Sequence, residues 1–203
     1  IGGDGTYHGA LLLKKMGVTL VYMLPIAEYT RMYKKGEMGS PYGVKDFYHI
    51  DKDLFDPITG DLMTVNEQFK AFVEACHILG MRVSIDFVPR TNARDSHLIK
   101  NHPDWFYWIN VDDINEYRTP HVEGLDNFTT PTKDNAETLY KSKDVLNFIS
   151  KFTKNPKEID PIKWEEIKNL KGNLLTNIEE HFGITTAPAF SDTINDPQSS
   201  WND

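Results

Sequence analysis

The sequence lacks the features that are typical of disulfide-bonded, membrane-spanning and nucleic-acid-binding proteins. Among 203 residues there is a single cysteine, Cys76, so an internal disulfide is excluded. No apolar run approaches the ~20 residues that a membrane-spanning helix needs. Acidic residues outnumber basic ones 30 to 22, giving a net charge of −8, and no basic face is available for a nucleic-acid backbone. We therefore expect no nucleic-acid partner, no membrane partner and, since a lone cysteine is compatible with a reducing compartment, a cytoplasmic protein.

Motifs for metal, nucleotide and serine-hydrolase chemistry are also missing. The seven histidines form no HExxH pattern, and no CxxC pair is present. No GxGxxG, Walker or GxSxG motif occurs. The sequence therefore predicts neither a metal nor a cofactor.

Both ends of the chain are unlike those of a complete protein. The sequence begins with Ile1-Gly-Gly, without an initiator methionine, and it stops at Asp203 without a closing helix. We expect a piece of a longer protein.

What is present is centred on residues 64–94. Thr64 and Glu67 have the spacing of a capping box, and the apolar residues that follow them recur with helical period, which predicts a helix over about 65–79. Gly80 is typical of the helix end. Residues 82–88 then alternate as in a strand, with Asp86 at its carboxyl end.

Residues 18–24 form a continuous apolar run, typical of a parallel strand covered on both faces. Residues 7–16 precede it as a predicted helix, and residues 25–63 follow as a long, functional connection. Together these segments predict a parallel βαβ crossover in which 18–24 and 82–88 are adjacent strands and the helix packs outside them. In such folds, chemistry collects at the carboxyl ends of the strands.

The chain after Pro89 has a different character. We predict helices over 136–153 and 161–182, with loops over 112–135 and 184–203. The four successive aromatic residues at 105–108 are either the core of a small subdomain, the commoner arrangement, or a platform for carbohydrate.

Candidate site residues allow two interpretations each. Asp86 is either a structural acid that caps or forms an ion pair, or a functional carboxylate at the end of a strand. Tyr42, held between proline and glycine, either packs its loop or presents its ring to the apolar face of a sugar. The cluster of Arg90, Arg94 and Asp95 is either a surface ion-pair network, the commoner case, or a site for an anion or sugar hydroxyls.

Three segments resemble one known family. The succession GVTLVYMLPI, SPYGVKDFYHID and FKAFVEACHILGMRVSIDFVPRT is similar to the N-terminal third of the catalytic barrel of the alpha-amylase superfamily, glycoside hydrolase family 13. The later segments ARDSHLIKNHPDWFYWI and GITTAPAFSDTINDPQSSW narrow the resemblance to its 4-alpha-glucan maltosyltransferase branch.

The resemblance implies an α/β fold: the first strands of a (β/α)8 TIM barrel over residues 1–89, and an inserted, mostly helical and loop-rich domain B over 90–203. It also implies a substrate site. Asp86 matches the acid of the family's D-x-V-x-N-H motif, and Tyr42 the aromatic residue that stacks on the sugar. Asp46 matches the acid after that tyrosine, and Asp192 loosely matches an acid late in the inserted domain.

The sequence also departs from the family pattern. Arg90 and Thr91 stand where the motif has Asn and His. The family's Asn commonly helps to bind calcium, and a guanidinium is a poor neighbour for that ion, so we expect no such calcium site. The altered pair suggests a reshaped subsite in which Arg90 contacts substrate, as fits a transferase.

The activity implied by the resemblance is retaining transfer of maltosyl units between α-1,4-glucans through a covalent glycosyl-enzyme. The family's nucleophile and acid/base lie on later strands, so we expect the 203-residue chain alone to be inactive. Three alternatives remain: an amylase-like hydrolase, a non-catalytic carbohydrate-binding protein, and a different α/β-barrel enzyme that uses Asp86 as a base.

Overall fold

The computed structural model describes residues 6–33, 37–89, 92–122 and 132–188. The chain divides into two compact units, residues 1–93 (unit 1) and 94–203 (unit 2). The assignment of residues 1–89 to a barrel and of 90–203 to an inserted domain B stays a prediction.

Seven α-helices and seven strands lie within the described residues. The helices are α1 Thr6–Lys15, α2 Val65–Ile78, α3 Ala136–Lys141, α4 Lys143–Ser150, α5 Pro156–Ile159, α6 Pro161–Ile167 and α7 Leu174–Phe182. The strands are β1 Leu20–Met23, β2 Ala27–Tyr29, β3 Val44–Ile50, β4 Arg82–Ile85, β5 Trp108–Asn110, β6 Phe152–Thr153 and β7 Ile184–Thr186.

A parallel strand pair with its crossover helix forms the centre of unit 1. β1 and β4 pair in parallel, with Leu20 opposite Arg82 and Met23 opposite Ile85. The predicted capping box begins α2, because the Thr64 hydroxyl accepts from the Glu67 N–H while the Glu67 carboxylate accepts from the Thr64 N–H. The predicted adjacent parallel strands and the helix between them are therefore confirmed.

Only one face of this strand pair is covered. Val21, Met23 and Val83 pack against a core of four buried residues on α1, on α2 and just before β4, namely Ala10, Phe72, Cys76 and Met81. On the opposite face, Leu20 is 50% exposed and Tyr22 is 61% exposed. The prediction of a strand covered on both faces is therefore wrong for β1 in this chain: the run is apolar throughout, but alternation turns only every second residue toward the helices.

The connection over residues 25–63 was predicted to be a loop, but it contains regular secondary structure. It contains the antiparallel pair β2–β3, with irregular register, and 3-10 helices at Lys52–Leu54 and Pro57–Leu62. The Arg31 guanidinium donates to the buried Asp51 carboxylate at 2.8 and 2.9 Å and lies 3.6 Å from the centre of the Tyr29 ring. Contacts between residues 20 apart stabilise this sheet, so local sequence patterns do not reveal it.

Unit 2 contains a sheet that the sequence analysis missed. β5 is the central strand, antiparallel to β6 and to β7. The predicted loop over 184–203 is wrong at its start, because β7 is a fully buried strand; residues 189–203 lie outside the described part of the chain. A three-residue strand has too short a pattern to be distinguished from a loop.

The predicted helices of unit 2 are present but interrupted. The first, predicted over 136–153, is split into α3 and α4 and is wrong at its end, where residues 152–153 form β6. The second is split into α6 and α7. Both predicted ends of the second helix are confirmed. The Asp160 carboxylate accepts from the N–H groups of Ile162 and Lys163, and Gly183 ends α7 with φ +67°.

The aromatic run at 105–108 divides between the core and the surface. Trp108 is 2% exposed, and its indole N–H donates to the Pro103 carbonyl at 2.7 Å. Trp105 and Tyr107 are 63% and 79% exposed. The core interpretation therefore holds for Trp108 and is wrong for Trp105 and Tyr107.

Candidate functional site

The end of β4 and the long connection before α2 meet at Asp86. The strand extends one step beyond its last paired residue, because the Asp86 N–H donates to the Met23 carbonyl at 2.8 Å. The Tyr42 hydroxyl donates to Oδ2 of Asp86 at 2.7 Å. Two predicted site residues, 44 positions apart in sequence, are thus in direct contact.

The backbone around Tyr42 is held by a tight turn. The Tyr42 N–H donates to the Ser40 hydroxyl at 3.3 Å, and the Gly43 N–H donates to the Ser40 carbonyl at 3.1 Å. The next residue, Val44, is buried and begins β3. Tyr42 therefore stands on a turn fixed on both sides, with its side chain half-buried.

A second tyrosine at this site was not predicted. Tyr22 pairs in register with Ser84. Since Asp86 is two residues beyond Ser84, Tyr22 and Asp86 share one face of the strand pair. The Asp86 carboxylate raises the pKa of Tyr22 above its usual range, chiefly through side-chain hydrogen bonding and further through burial and the negative charge of Asp86. The sequence signal was the one hydroxyl in an otherwise apolar strand.

Asp86 thus lies beside two tyrosines, of which Tyr42 donates a hydrogen bond to it. The pKa of Tyr42 is raised as well, chiefly by its hydrogen bond to Asp86 and further by burial and by the negative charge of the carboxylate. Both phenols therefore remain protonated donors at neutral pH. An ionised carboxylate offers about four acceptor positions, so two tyrosines leave capacity for the hydroxyl groups of a ligand. We call Tyr22, Tyr42 and Asp86 the Tyr–Asp–Tyr cluster.

Asp46 makes different contacts. It lies in β3, only 6% exposed, and accepts from the Tyr48 N–H at 2.8 Å. Its other carboxylate oxygen is 2.7 Å from Nδ1 of His49. These contacts fix the backbone of β3, and a substrate-binding role for Asp46 remains a prediction.

The remaining predicted residues fall into two groups. Arg90, Thr91 and Asp192 lie outside the described residues. Arg94 and Asp95 make contacts within unit 2: Arg94 donates to the Thr185 hydroxyl at 2.8 Å, and Asp95 accepts from the Asn173 side chain at 3.0 Å. Both connect the start of unit 2 to distant segments of the same unit.

Within the described ranges, no group of three or more His, Cys, Asp or Glu side chains is arranged to hold a metal ion. In the same ranges, no helix is both long and apolar enough to cross a membrane.

Comparison with known proteins identifies relatives of one kind. No family model matches the chain. Proteins named alpha-1,4-glucan:maltose-1-phosphate maltosyltransferase are similar to it: that of Cereibacter sphaeroides is 31% identical over 126 residues, 52% of this chain and 20% of the relative. The Mycolicibacterium smegmatis protein is 30% identical over 104 residues, 46% of this chain and 14% of the relative.

The predicted resemblance to 4-alpha-glucan maltosyltransferases is confirmed by these relatives. The chain matches a fifth or less of the length of these two relatives. Among solved structures, an alpha-amylase from Lactobacillus plantarum aligns with 82% of this chain and 31% of its own, at 25% identity and a TM-score of 0.41. The maltogenic alpha-amylase AmyB from Thermotoga neapolitana aligns with 87% and 31%, at the same identity and TM-score.

Proposed function

We propose that the chain is part of a retaining enzyme that transfers maltosyl units to α-1,4-glucans, and that the Tyr–Asp–Tyr cluster lines its donor-sugar subsite. The observation that carries the proposal is the 2.7 Å hydrogen bond between Tyr42 and Asp86. It joins the two residues that the family resemblance assigns to the sugar. The names of the relatives supply the substrates: maltose 1-phosphate as donor and an α-1,4-glucan as acceptor.

The residues of the cluster have complementary roles. The ring of Tyr42 covers the apolar face of the donor sugar, burying area while its hydroxyl stays bonded to Asp86. The Asp86 carboxylate accepts a hydrogen bond from a sugar hydroxyl. Tyr22 and Tyr42 hold that carboxylate in one orientation, which spares the sugar the cost of ordering it on binding.

The covalent chemistry belongs to other carboxylates. In retaining glycosidases and related transferases, one carboxylate attacks the anomeric carbon while a second protonates the leaving group, and an acceptor then displaces the enzyme. In the alpha-amylase superfamily, these groups lie on later barrel strands. We propose that β1 and β4 are strands of such a (β/α)8 barrel, that residues 90–203 are inserted in it, and that the 203-residue chain alone does not turn over.

Titration with maltose, followed by the NMR signals of the tyrosine rings, tests the site. We expect weak binding that shifts the signals of Tyr22 and Tyr42 and is weakened roughly tenfold by Tyr42→Ala, since a tenfold change corresponds to about 1.4 kcal/mol of lost contact. Asp86→Asn should weaken binding further because it removes the charged acceptor. Tyr48→Ala is the matched control, since Tyr48 lies in β3 and is 81% exposed.

Maltose binding that is equal in wild type, Tyr42→Ala and Asp86→Asn would refute the site. A parallel incubation with maltose 1-phosphate and maltohexaose should yield no lengthened glucan. Release of free maltose in a longer protein containing this chain would identify a hydrolase instead of a transferase.

A further inference from the structure

Unit 2 exposes two large aromatic side chains on one short segment. Trp105 and Tyr107 are 63% and 79% exposed, whereas Trp108 and Ile109 beside them are 2% and 0% exposed. Their Cα atoms are at most about 7 Å apart, since only two residue steps separate them. We call Trp105 and Tyr107 the outer aromatic pair.

The backbone beneath the pair is fixed. The ring of His102 stacks on that of Trp105, with centroids 3.9 Å apart and an angle of 11° between planes. The buried indole of Trp108 donates to the Pro103 carbonyl at 2.7 Å, and the Tyr107 carbonyl accepts from the Ala187 N–H at 2.8 Å. Exposed rings on an ordered support lose little conformational freedom when they bind a ligand.

Tyr107 contacts the Phe152 ring edge-on, with centroids 5.8 Å apart, whereas the exposed neighbours of the pair along the chain are polar. Across residues 101–110, all of which the structure describes, the other exposed side chains are Asn101, Asp104 and Asn110, and no aliphatic side chain is exposed. The core of a protein interface is apolar and depleted of charge, so this surface does not have that composition. Aromatic rings beside amide and carboxylate groups instead suit a pyranose, which has an apolar face and a rim of hydroxyls.

Charge restricts the ligand further. The chain has a net charge of −8. An exposed carboxylate, Asp104, lies directly beside Trp105. A polyanion would be repelled, whereas an uncharged polysaccharide would not.

We propose that the outer aromatic pair is a glucan-binding surface of unit 2, on which the two rings stack against glucose units of an α-1,4-glucan. The choice of an α-1,4-glucan rests on the proposed function; the stacking itself rests on the geometry of unit 2. Its residues are separate from the Tyr–Asp–Tyr cluster, which belongs to unit 1.

Native electrophoresis of the 203-residue chain through gels containing soluble amylose tests this proposal. Amylose should retard the wild-type chain. Trp105→Ala and Tyr107→Ala should each weaken the apparent affinity by roughly 2- to 10-fold, the range expected for one aromatic contact, and the double variant should lose more retardation than either single variant. Tyr140→Ala is the matched control, because Tyr140 lies in unit 2 and is 56% exposed. Trp105→Phe keeps a ring and should restore part of the retardation.

The maltose titration separates this proposal from the proposed function. Loss of retardation in the outer-pair variants with maltose titration unchanged supports the glucan surface, whether or not the Tyr–Asp–Tyr cluster binds sugar. Retardation of the double variant equal to that of wild type, or no retardation of wild type, overturns the glucan surface and leaves the proposed function to the titration. Thermal unfolding of each variant at the wild-type temperature excludes a folding defect.

Discussion

The sheets of the two units differ in how many of their faces are buried. In unit 2, the central strand β5 places Trp108 on one face and Ile109 on the other, and both side chains are almost fully buried. In unit 1, the pair β1–β4 has its core on one face alone, and Leu20 and Tyr22 remain exposed on the other. The open face of unit 1 is also the one that carries the Tyr–Asp–Tyr cluster. In this chain, therefore, the central strand of unit 2 is buried on both faces, and the open face of unit 1 holds the candidate site.

The largest expected contrast is between one buried and one exposed aromatic residue. Trp108→Ala in unit 2 should lower the free energy of unfolding by about 3–5 kcal/mol, because it leaves a cavity and removes the indole hydrogen bond to the Pro103 carbonyl. Phe87→Ala in unit 1, where the ring is 66% exposed, should cost less than about 1 kcal/mol. Urea unfolding followed by circular dichroism measures both. Equal losses would mean that unit 1 is packed as completely as unit 2.

Neighbouring residues of β1 allow a sharper test within unit 1. Val21→Thr should cost about 2 kcal/mol, since it places a hydroxyl against the core of α1 and α2. Leu20→Thr, one residue earlier on the open face, should change the free energy of unfolding by no more than about 0.5 kcal/mol. It should also reduce binding of a hydrophobic dye. A large loss of stability in Leu20→Thr would show that the open face is covered in solution.

Acid should affect the ion pairs of the two units unequally. In unit 2, the Arg118 guanidinium donates to both Asp144 oxygens, at 3.0 and 2.8 Å, and holds the pKa of Asp144 below its usual range. The stabilisation is therefore present above the ordinary aspartate pKa and is lost as pH falls through the lowered one. Asp144→Asn should cost about 1 kcal/mol at pH 7, and this cost should shrink as pH falls below the ordinary aspartate pKa.

The matched variant in unit 1 is Asp53→Asn. The pKa of Asp53 is also lowered, by Arg31, but this side chain is 65% exposed, so we expect a smaller effect of the same sign. Unfolding midpoints measured across the pH range compare the two variants. A cost of Asp144→Asn that stays constant down to pH 2 would contradict the ion-pair explanation.

The smallest effect concerns the tyrosines at the candidate site. Hydrogen bonding to Asp86 raises the pKa of Tyr22 and of Tyr42, so Asp86→Asn should bring both back toward the ordinary tyrosine value. These hydrogen bonds therefore stabilise the folded state fully below the ordinary tyrosine pKa, and this stabilisation is lost as pH rises through the raised pKa values. Ultraviolet titration of tyrosinate, with Tyr22→Phe and Tyr42→Phe to assign the signals, measures the shift.

Tyr117 is the internal control for that titration. Burial raises its pKa to about 12, and its signal should not respond to Asp86→Asn. If the tyrosinate curves of wild type and Asp86→Asn coincide, the Tyr–Asp–Tyr cluster does not persist in solution.

The sequence by itself determined the local elements and one site residue on each of two segments. The capping box at Thr64, the stop at Gly183 and the strand that leads to Asp86 all depend on neighbours within a few residues, and the structure has each of them. Family resemblance added Tyr42 as a partner for Asp86. The sequence predicts these features because helix caps, periodicity and strand ends depend on residues that are close together in the chain.

The tertiary structure decided what depends on contacts between distant residues. It brought Tyr22 to Asp86 through the register of β1 and β4, and it built β2–β3 around the ion pair of Arg31 and Asp51. It also decided which residues of the aromatic run are buried. Trp108 is buried and Trp105 is exposed, and this difference depends on which strands flank β5. Periodicity shows which residues share a face, but only the packed chain decides which face is covered.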